Sequence, residues 1–443
     1  MRYMVVPSLV LVAALAIPAA GQPSDPLHVT ILDVGMVSQS LRITMATSGL
    51  DDRGAGRSAV AVSAWLDGVP IQAEVPLIHM PARFALDLDL AAGAVRIAGV
   101  TVGEFAPVQR FDENLIFPVE VTLRRGPFAA TARCLVAIPL PTVVIPGYAN
   151  ELREPDRALL AAFRRRGYRD TGPAQTVFWF PYPSLHMTFE EAAHALDAYV
   201  RQVVLPATYA RKINVVGYSL GGLLARWNIA YDLDGWGRLV NRLVLVGVPN
   251  EGVVMPYVYR NTPEFVPYAY MAHTQAARAM LPTFPFWRAA PGQPWGTPPD
   301  GENPLLAQLN ARPFPVDVRV YSFFGSMDSR GVGVAVDVRL FVLFGSLGLG
   351  DTGSADTILG VTGETGGAVL TYGAGDGVVL AASALGLPIQ GGAGVAAFAG
   401  HEIQRVDLGP VAHVSLLAAG AEKILAALLD RVLDRVETTT EPH

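Results

Sequence analysis

The chain has 443 residues, 51% of them hydrophobic and 16% charged. That length points to at least two domains, and that balance supplies ample core and excludes a mainly disordered protein. A net charge of −6, with no basic run longer than Arg164-Arg165-Arg166, excludes nucleic acid as a partner, and the single cysteine, Cys134, excludes an internal disulfide or a multi-thiolate metal site.

The N-terminus reads as a cleaved signal peptide over residues 1–21. Arg2 precedes an apolar run over residues 5–19, and Ala19-Ala20-Gly21 supplies small residues before Gln22. Pro7 and Pro18 cut the run, which is shorter than the roughly 20 residues a membrane span needs. The expected location is therefore secreted or periplasmic, with a soluble mature protein.

Residues 25–137 consist of short alternating runs between Gly, Asp and Pro turns, such as Val119-Glu120-Val121-Thr122-Leu123. This predicts a small accessory β-sandwich. Asp87 and Asp89 alternate with leucines and are expected to face outward, and no cluster of catalytic residue types stands out.

At residue 138 the pattern changes. Thr142-Val143-Val144-Ile145 has the composition of a buried strand, and residues 154–166 carry Leu159, Leu160 and Phe163 at helical spacing. A strand over 176–180, a helix over 188–203, a strand over 213–216, a helix over 221–231 and a strand over 243–246 follow. Strands alternating with helices predict a mostly parallel sheet flanked by helices, filling residues 138–443. Residues 250–315, rich in Pro and aromatics with a helical stretch near 269–280, read as a cap inserted over a pocket. After a strand over 318–324, a Gly-rich insertion runs over about 325–373, where residues 334–344 alternate as in a hairpin. A helix over 415–436 closes the chain.

Gly217-Tyr218-Ser219-Leu220-Gly221 fits G-x-S-x-G, with a β-branched strand before it and a small-residue helix start after it. A nucleophile on a sharp strand-to-helix turn sits in strained backbone, and side chains at Gly217 and Gly221 would clash there. The turn sets the Ser219 hydroxyl at a helix N-terminus, where developing negative charge is favoured. A serine needs a base, and the base an acid, which in this arrangement follow in the order Ser, Asp or Glu, His. Of the downstream histidines, His273 lies in the cap, His443 is the final residue, and His413 precedes the last helix where the base belongs; His401 suits a supporting role. For the acid, Asp376 in a tight Gly turn and Asp328 after the preceding strand are both candidates.

Taken together, Val215-Val216-Gly217-Tyr218-Ser219-Leu220-Gly221-Gly222-Leu223, Gly247-Val248-Pro249-Asn250-Glu251-Gly252, the run from Asn303-Pro304-Leu305 to Asn310, and Gly375-Asp376-Gly377-Val378-Val379 with Ser383 resemble the α/β-hydrolase lipases of the lecithin:cholesterol acyltransferase-like group. The resemblance covers residues 138–436 and leaves the N-terminal part outside. It implies an α/β-hydrolase fold with Asp376 as the triad acid and His413 as the base. Leu380 stands where the group often has Pro, and the cysteine-bridged lid of its animal members cannot form with one Cys.

In that fold the oxyanion donors are the backbone N–H groups of Leu220 and of Tyr148, the latter after Pro146-Gly147 at the end of the first sheet strand. The expected reaction is acyl transfer from a small-molecule or lipid ester through an acyl-serine, with water as acceptor. The aromatic cap favours an apolar acyl group and is compatible with transient contact with a lipid surface. The alternatives are an acyltransferase with an alcohol acceptor and a catalytically inactive exported binding protein. The chemistry calls for no cofactor and no metal. Asp351, Asp356 and Glu364 carry the oxygen ligands calcium takes, at a spacing that fits no established loop.

Overall fold

The computed structural model describes residues 10–11, 28–37, 40–48, 58–66, 69–77, 83–97, 99–125, 128–149, 156–172, 174–254, 256–257, 273–288, 294, 296–297, 301–315, 317–326, 356–361, 367–372, 375–376, 378–389, 394–398 and 401–438. Residues 334–344, Asp328, Asp351, Glu364, His443 and the leader apart from Val10 and Leu11 lie outside the described residues.

Ten strands come first: β1 (Val10–Leu11), β2 (His28–Val37), β3 (Ser40–Ser48), β4 (Ser58–Leu66), β5 (Val69–Leu77), β6 (Arg83–Asp89), β7 (Ala94–Ile97), β8 (Val100–Glu104), β9 (Leu115–Arg125) and β10 (Phe128–Ile138). They form two antiparallel sheets, ordered β1-β10-β9-β4-β5 and β2-β3-β6-β7-β8. The period-2 alternation decides what lies between them. Leu41, Ile43, Met45, Leu86 and Leu88 of one sheet meet Phe117, Val119, Val121, Leu123 and Val136 of the other in one buried core. Cys134 is buried there too, and burial pushes its thiol up to about 11, well away from reactivity at neutral pH.

Of the two aspartates expected to face outward, Asp87 does so and pairs with Arg42 at 2.7 Å, but Asp89 is buried. The turn after β6 folds back on it: Ala92 N–H donates to Asp89 Oδ1 at 3.0 Å, and Arg96 lies 3.2 Å from Oδ2. Local turn hydrogen bonding overrides the alternation of the strand.

The sandwich is fastened to the second half. Tyr209 and Ala210 belong to its core, and Tyr209 OH donates to the Val108 carbonyl at 2.8 Å. Asn114 accepts from Leu140 N–H at 2.8 Å and donates to the Leu428 carbonyl at 3.2 Å, which ties the linker between the halves to the last helix.

The remaining strands are β11 (Thr142–Ile145), β12 (Val177–Trp179), β13 (Ile213–Tyr218), β14 (Val240–Val246), β15 (Trp287–Arg288), β16 (Arg319–Phe324), β17 (Asp356–Val361), β18 (Gly367–Tyr372) and β19 (Ile403–Asp407). Six of them make a parallel sheet in the order β12-β11-β13-β14-β16-β19. Its central strands β11 and β13 are buried along their whole length because helices cover both faces. Val143, Ile145, Val215, Leu243 and Leu245 point to the side of the helices Phe189–Tyr199, Leu220–Ala230 and Pro304–Ala311. Val144, Val216, Val244, Val246 and Phe323 point to the side of the helices Arg157–Arg165 and Leu416–Thr438.

This is an α/β-hydrolase fold preceded by a β-sandwich. Strand order reverses between β11 and β13, so a crevice opens beyond their carboxyl ends, where such sheets place their ligands. Within residues 250–315, the helix expected near 269–280 is Gln275–Arg278, and a second helix, Pro304–Ala311, starts at Asn303, whose side chain accepts from Leu306 N–H. The hairpin described in the insertion is β17 with β18, further along the chain than the 334–344 pattern; with β15 of the cap it forms a three-stranded sheet. Among the described residues, no helix is long and apolar enough to cross a membrane.

Candidate active site

Ser219 stands between β13 and the helix Leu220–Ala230 with φ 51° and ψ −125°, a conformation that a residue with a side chain holds only when its surroundings force it. The flanking glycines explain how. A Cβ on Gly217 would come within 2.5 Å of Gly222 Cα, and one on Gly221 within 2.5 Å of the Pro146 carbonyl oxygen. Strand, turn and helix therefore pack backbone to backbone, and Ser219 N–H donates to the Val246 carbonyl at 2.9 Å.

Asp376 and His413 meet although 37 residues separate them: His413 Nδ1 lies 2.7 Å from Asp376 Oδ2. Both are buried. Asp376 is fixed from several directions. Its Oδ1 accepts from Val378 N–H at 3.0 Å and Val379 N–H at 2.7 Å, and its own carbonyl accepts from His413 N–H at 2.7 Å. With Nδ1 donating to the carboxylate, Nε2 of the neutral ring is left as an acceptor. Tyr218, the residue before Ser219, brings this pair to the turn: its hydroxyl donates to the His413 carbonyl at 2.9 Å and its ring stacks on the imidazole at 5.0 Å. His401 sits elsewhere, with Nε2 2.6 Å from the Val318 carbonyl and its ring against Phe314, and His273 is exposed in the cap.

Leu220 opens its helix, so its N–H has no acceptor within the helix and lies at the positive end of the dipole. The loop carrying Tyr148 runs close to the serine; a Cβ on Gly147 would lie 2.9 Å from Ser219 Cβ. Two side chains that the sequence did not single out fix this loop. Tyr182 OH donates to the Pro146 carbonyl at 3.0 Å, and Ser184 Oγ accepts from Ala149 N–H at 2.8 Å, holding Ala149 at φ 57°. The Tyr148 hydroxyl and Thr274 Oγ1 are hydrogen-bonded at 2.7 Å.

Beneath the turn lies a polar knot built on Arg226, a fully buried cation. Its guanidinium donates to Asn250 Oδ1 at 2.9 Å and Asn310 Oδ1 at 2.8 Å, and it lies over the Phe398 ring at 5.1 Å. Burial pushes it down to about 9, against the opposing pull of nearby Glu251, so it stays cationic at neutral pH. Glu251 is itself buried, which raises its carboxyl above the usual range although Thr283 and Arg226 pull the other way. Ser383 accepts from Glu251 N–H at 3.0 Å and donates to the Gly252 carbonyl at 2.9 Å, and Asn250 donates to the Ala384 carbonyl at 2.6 Å. Asn250, Glu251, Asn310 and Ser383, polar residues of three separate motifs, thus converge on one network. The sequence signal for its hub was available: Arg226 is the lone charge in the helix Leu220–Ala230.

Among the described residues, no group of three or more His, Cys, Asp or Glu is placed to hold a metal ion. No family model matches the sequence, and no curated protein does. Solved structures similar to the chain include the mature form of a Bacillus licheniformis lipase, at 12% identity and TM-score 0.40 over 66% of this chain and 91% of that one. They also include phospholipase PlaB from Legionella pneumophila, at 14% identity and TM-score 0.34 over 56% of this chain and 46% of that one. A third is Aspergillus fumigatus lipase B, at 13% identity and TM-score 0.35 over 66% of this chain and 51% of that one. The α/β-hydrolase architecture itself stands on the strand order and the turn at Ser219.

Proposed function

We infer that the protein is an exported serine ester hydrolase that works through an acyl-serine on esters with an apolar acyl group. The observation that carries this reading is the strained Ser219 turn with the buried Asp376–His413 pair stacked against the residue before it. In this reading Ser219 Oγ bonds to the ester carbonyl carbon while His413 Nε2 takes its proton. The carbonyl oxygen gains negative charge and is met by the N–H groups of Leu220 and Tyr148. The bond to the alcohol breaks as His413 returns the proton to the leaving oxygen. Water, deprotonated by the same nitrogen, then releases the acid and restores Ser219.

Asp376 fixes the tautomer and orientation of His413 and stabilises the imidazolium. The motifs that resemble the lecithin:cholesterol acyltransferase-like group support placing the chain near those lipases, and the apolar run over residues 5–19 supports export. Hydrolysis of p-nitrophenyl esters from acetate to palmitate tests the reading. Turnover that rises with chain length and vanishes in Ser219→Ala is the expected result, and no turnover of any ester by the folded protein would overturn it.

A further inference from the structure

The loop that carries Tyr148 hangs between two sets of tethers. On one side Tyr182 and Ser184, both after β12, hold Pro146 and Ala149. On the other side, the Tyr148 hydroxyl reaches Thr274 Oγ1, which also accepts from Ala277 N–H and so caps the cap helix Gln275–Arg278. The far end of that segment is held by other parts of the same insertion: Asn303 donates to the Ala279 and Leu281 carbonyls at 3.0 and 2.7 Å, and Val253 N–H donates to the Met280 carbonyl at 2.7 Å. At the described start of that segment, the Tyr148 hydroxyl ties it to the loop that follows β11.

The apolar packing divides around the site in a matching way. Ala276, Ala279 and Met280 of the cap share one core cluster with Leu220 and Tyr148, whereas Tyr218, Leu416 and Leu417 on the histidine side belong to another. The cap helix thus belongs to the same apolar cluster as the residues whose N–H groups are read as the oxyanion donors.

Resting on the serine hydrolase reading, we propose that Tyr148 determines acyl-chain specificity: its hydroxyl, bonded to Thr274, joins the cap helix to the oxyanion loop, so a long acyl chain seated against the cap draws the Tyr148 N–H into register. Short acyl groups do not reach the cap and are indifferent to the link. The residue acts here as a positioning residue through its side chain, apart from the part its backbone plays.

The test compares Thr274→Val, Thr274→Ser, Tyr148→Phe and the Thr274→Val/Tyr148→Phe double variant on p-nitrophenyl acetate and palmitate, with active serines counted by a fluorophosphonate. Thr274→Val should lower kcat/KM for palmitate about fivefold or more, the fold-change that one hydrogen bond of ordinary net strength is worth, while acetate turnover stays within twofold. Thr274→Ser should restore the palmitate rate. Tyr148→Phe should reproduce the palmitate loss, and the double variant should lose no more than either single one. An equal loss on acetate and palmitate, fully additive losses, or an unchanged chain-length preference in all variants would overturn the proposal while the hydrolase reading stands. A wild-type protein inert on every ester would overturn both.

Discussion

Replacing Asp376 with Asn is the sharpest perturbation the site offers, because the surroundings dictate how the new amide must lie. Asp376 Oδ1 accepts from two backbone N–H groups, Val378 at 3.0 Å and Val379 at 2.7 Å, while Oδ2 faces His413 Nδ1 at 2.7 Å. An amide has one oxygen. Turned with its NH₂ toward the two backbone donors, it would lose two hydrogen bonds and set N–H against N–H in a buried site, at a cost of roughly 1–3 kcal/mol for each unmet group. The oxygen therefore stays with Val378 and Val379, and the NH₂ meets His413 Nδ1. That nitrogen must then accept, the ring proton moves to Nε2, and His413 can no longer take the Ser219 proton as the proposed mechanism requires.

In a serine triad a wrong tautomer lowers kcat by about 10⁴, or about 5.5 kcal/mol of transition-state stabilisation. The fold should survive, since shape and backbone bonds are kept. The assay is kcat for p-nitrophenyl butyrate with circular dichroism and urea unfolding as controls. Asp376→Asn folded and retaining more than a tenth of the activity would refute the reasoning.

The remaining predictions concern the groups around this pair. His413→Ala should abolish ester turnover, whereas His401→Ala, which removes a ring held by the Val318 carbonyl, should leave most of it; the reverse result would name the wrong base. Arg226→Met strips Asn250 and Asn310 of their shared donor and leaves Glu251 buried without a compensating charge, so urea unfolding should show a loss of roughly 3–5 kcal/mol. A change below about 1 kcal/mol would mean that the knot contributes little. Glu251 gives a signed pH test. A carboxyl whose folded pKa is raised holds its proton more tightly when folded, so its stabilising contribution is greatest at low pH and is lost as pH rises through the raised value. Wild type should therefore gain stability relative to Glu251→Gln as pH falls toward the usual carboxylate range, and the opposite trend contradicts the burial argument.

How far the sequence reached depended on the range of the interactions involved. The turn at Ser219 was legible because its requirements are local: glycines at two fixed offsets, a β-branched strand before and a small-residue helix after. The parallel sheet was legible because strands covered on both faces read as continuous apolar runs. Strand order and the pairing of Asp376 with His413 span tens of residues, and only chain order and resemblance pointed to that pair.

Tyr182 and Ser184 carry no local pattern; their role exists only where the segment after β12 meets the loop of Pro146 and Ala149. Asp89 misled because alternation ignores the turn that folds over it. The helix Pro304–Ala311 was missed although Asn303-Pro304 is a good start signal, because the surrounding Pro and aromatic residues suggested irregular structure.

The most direct test of the central claim is to treat the intact folded protein with a fluorophosphonate and locate the adduct by peptide mass spectrometry. The account predicts one adduct, on Ser219, absent in Ser219→Ala and formed about 10³-fold or more slowly in His413→Ala. An adduct on another residue, or a folded protein that remains unlabelled, would contradict it.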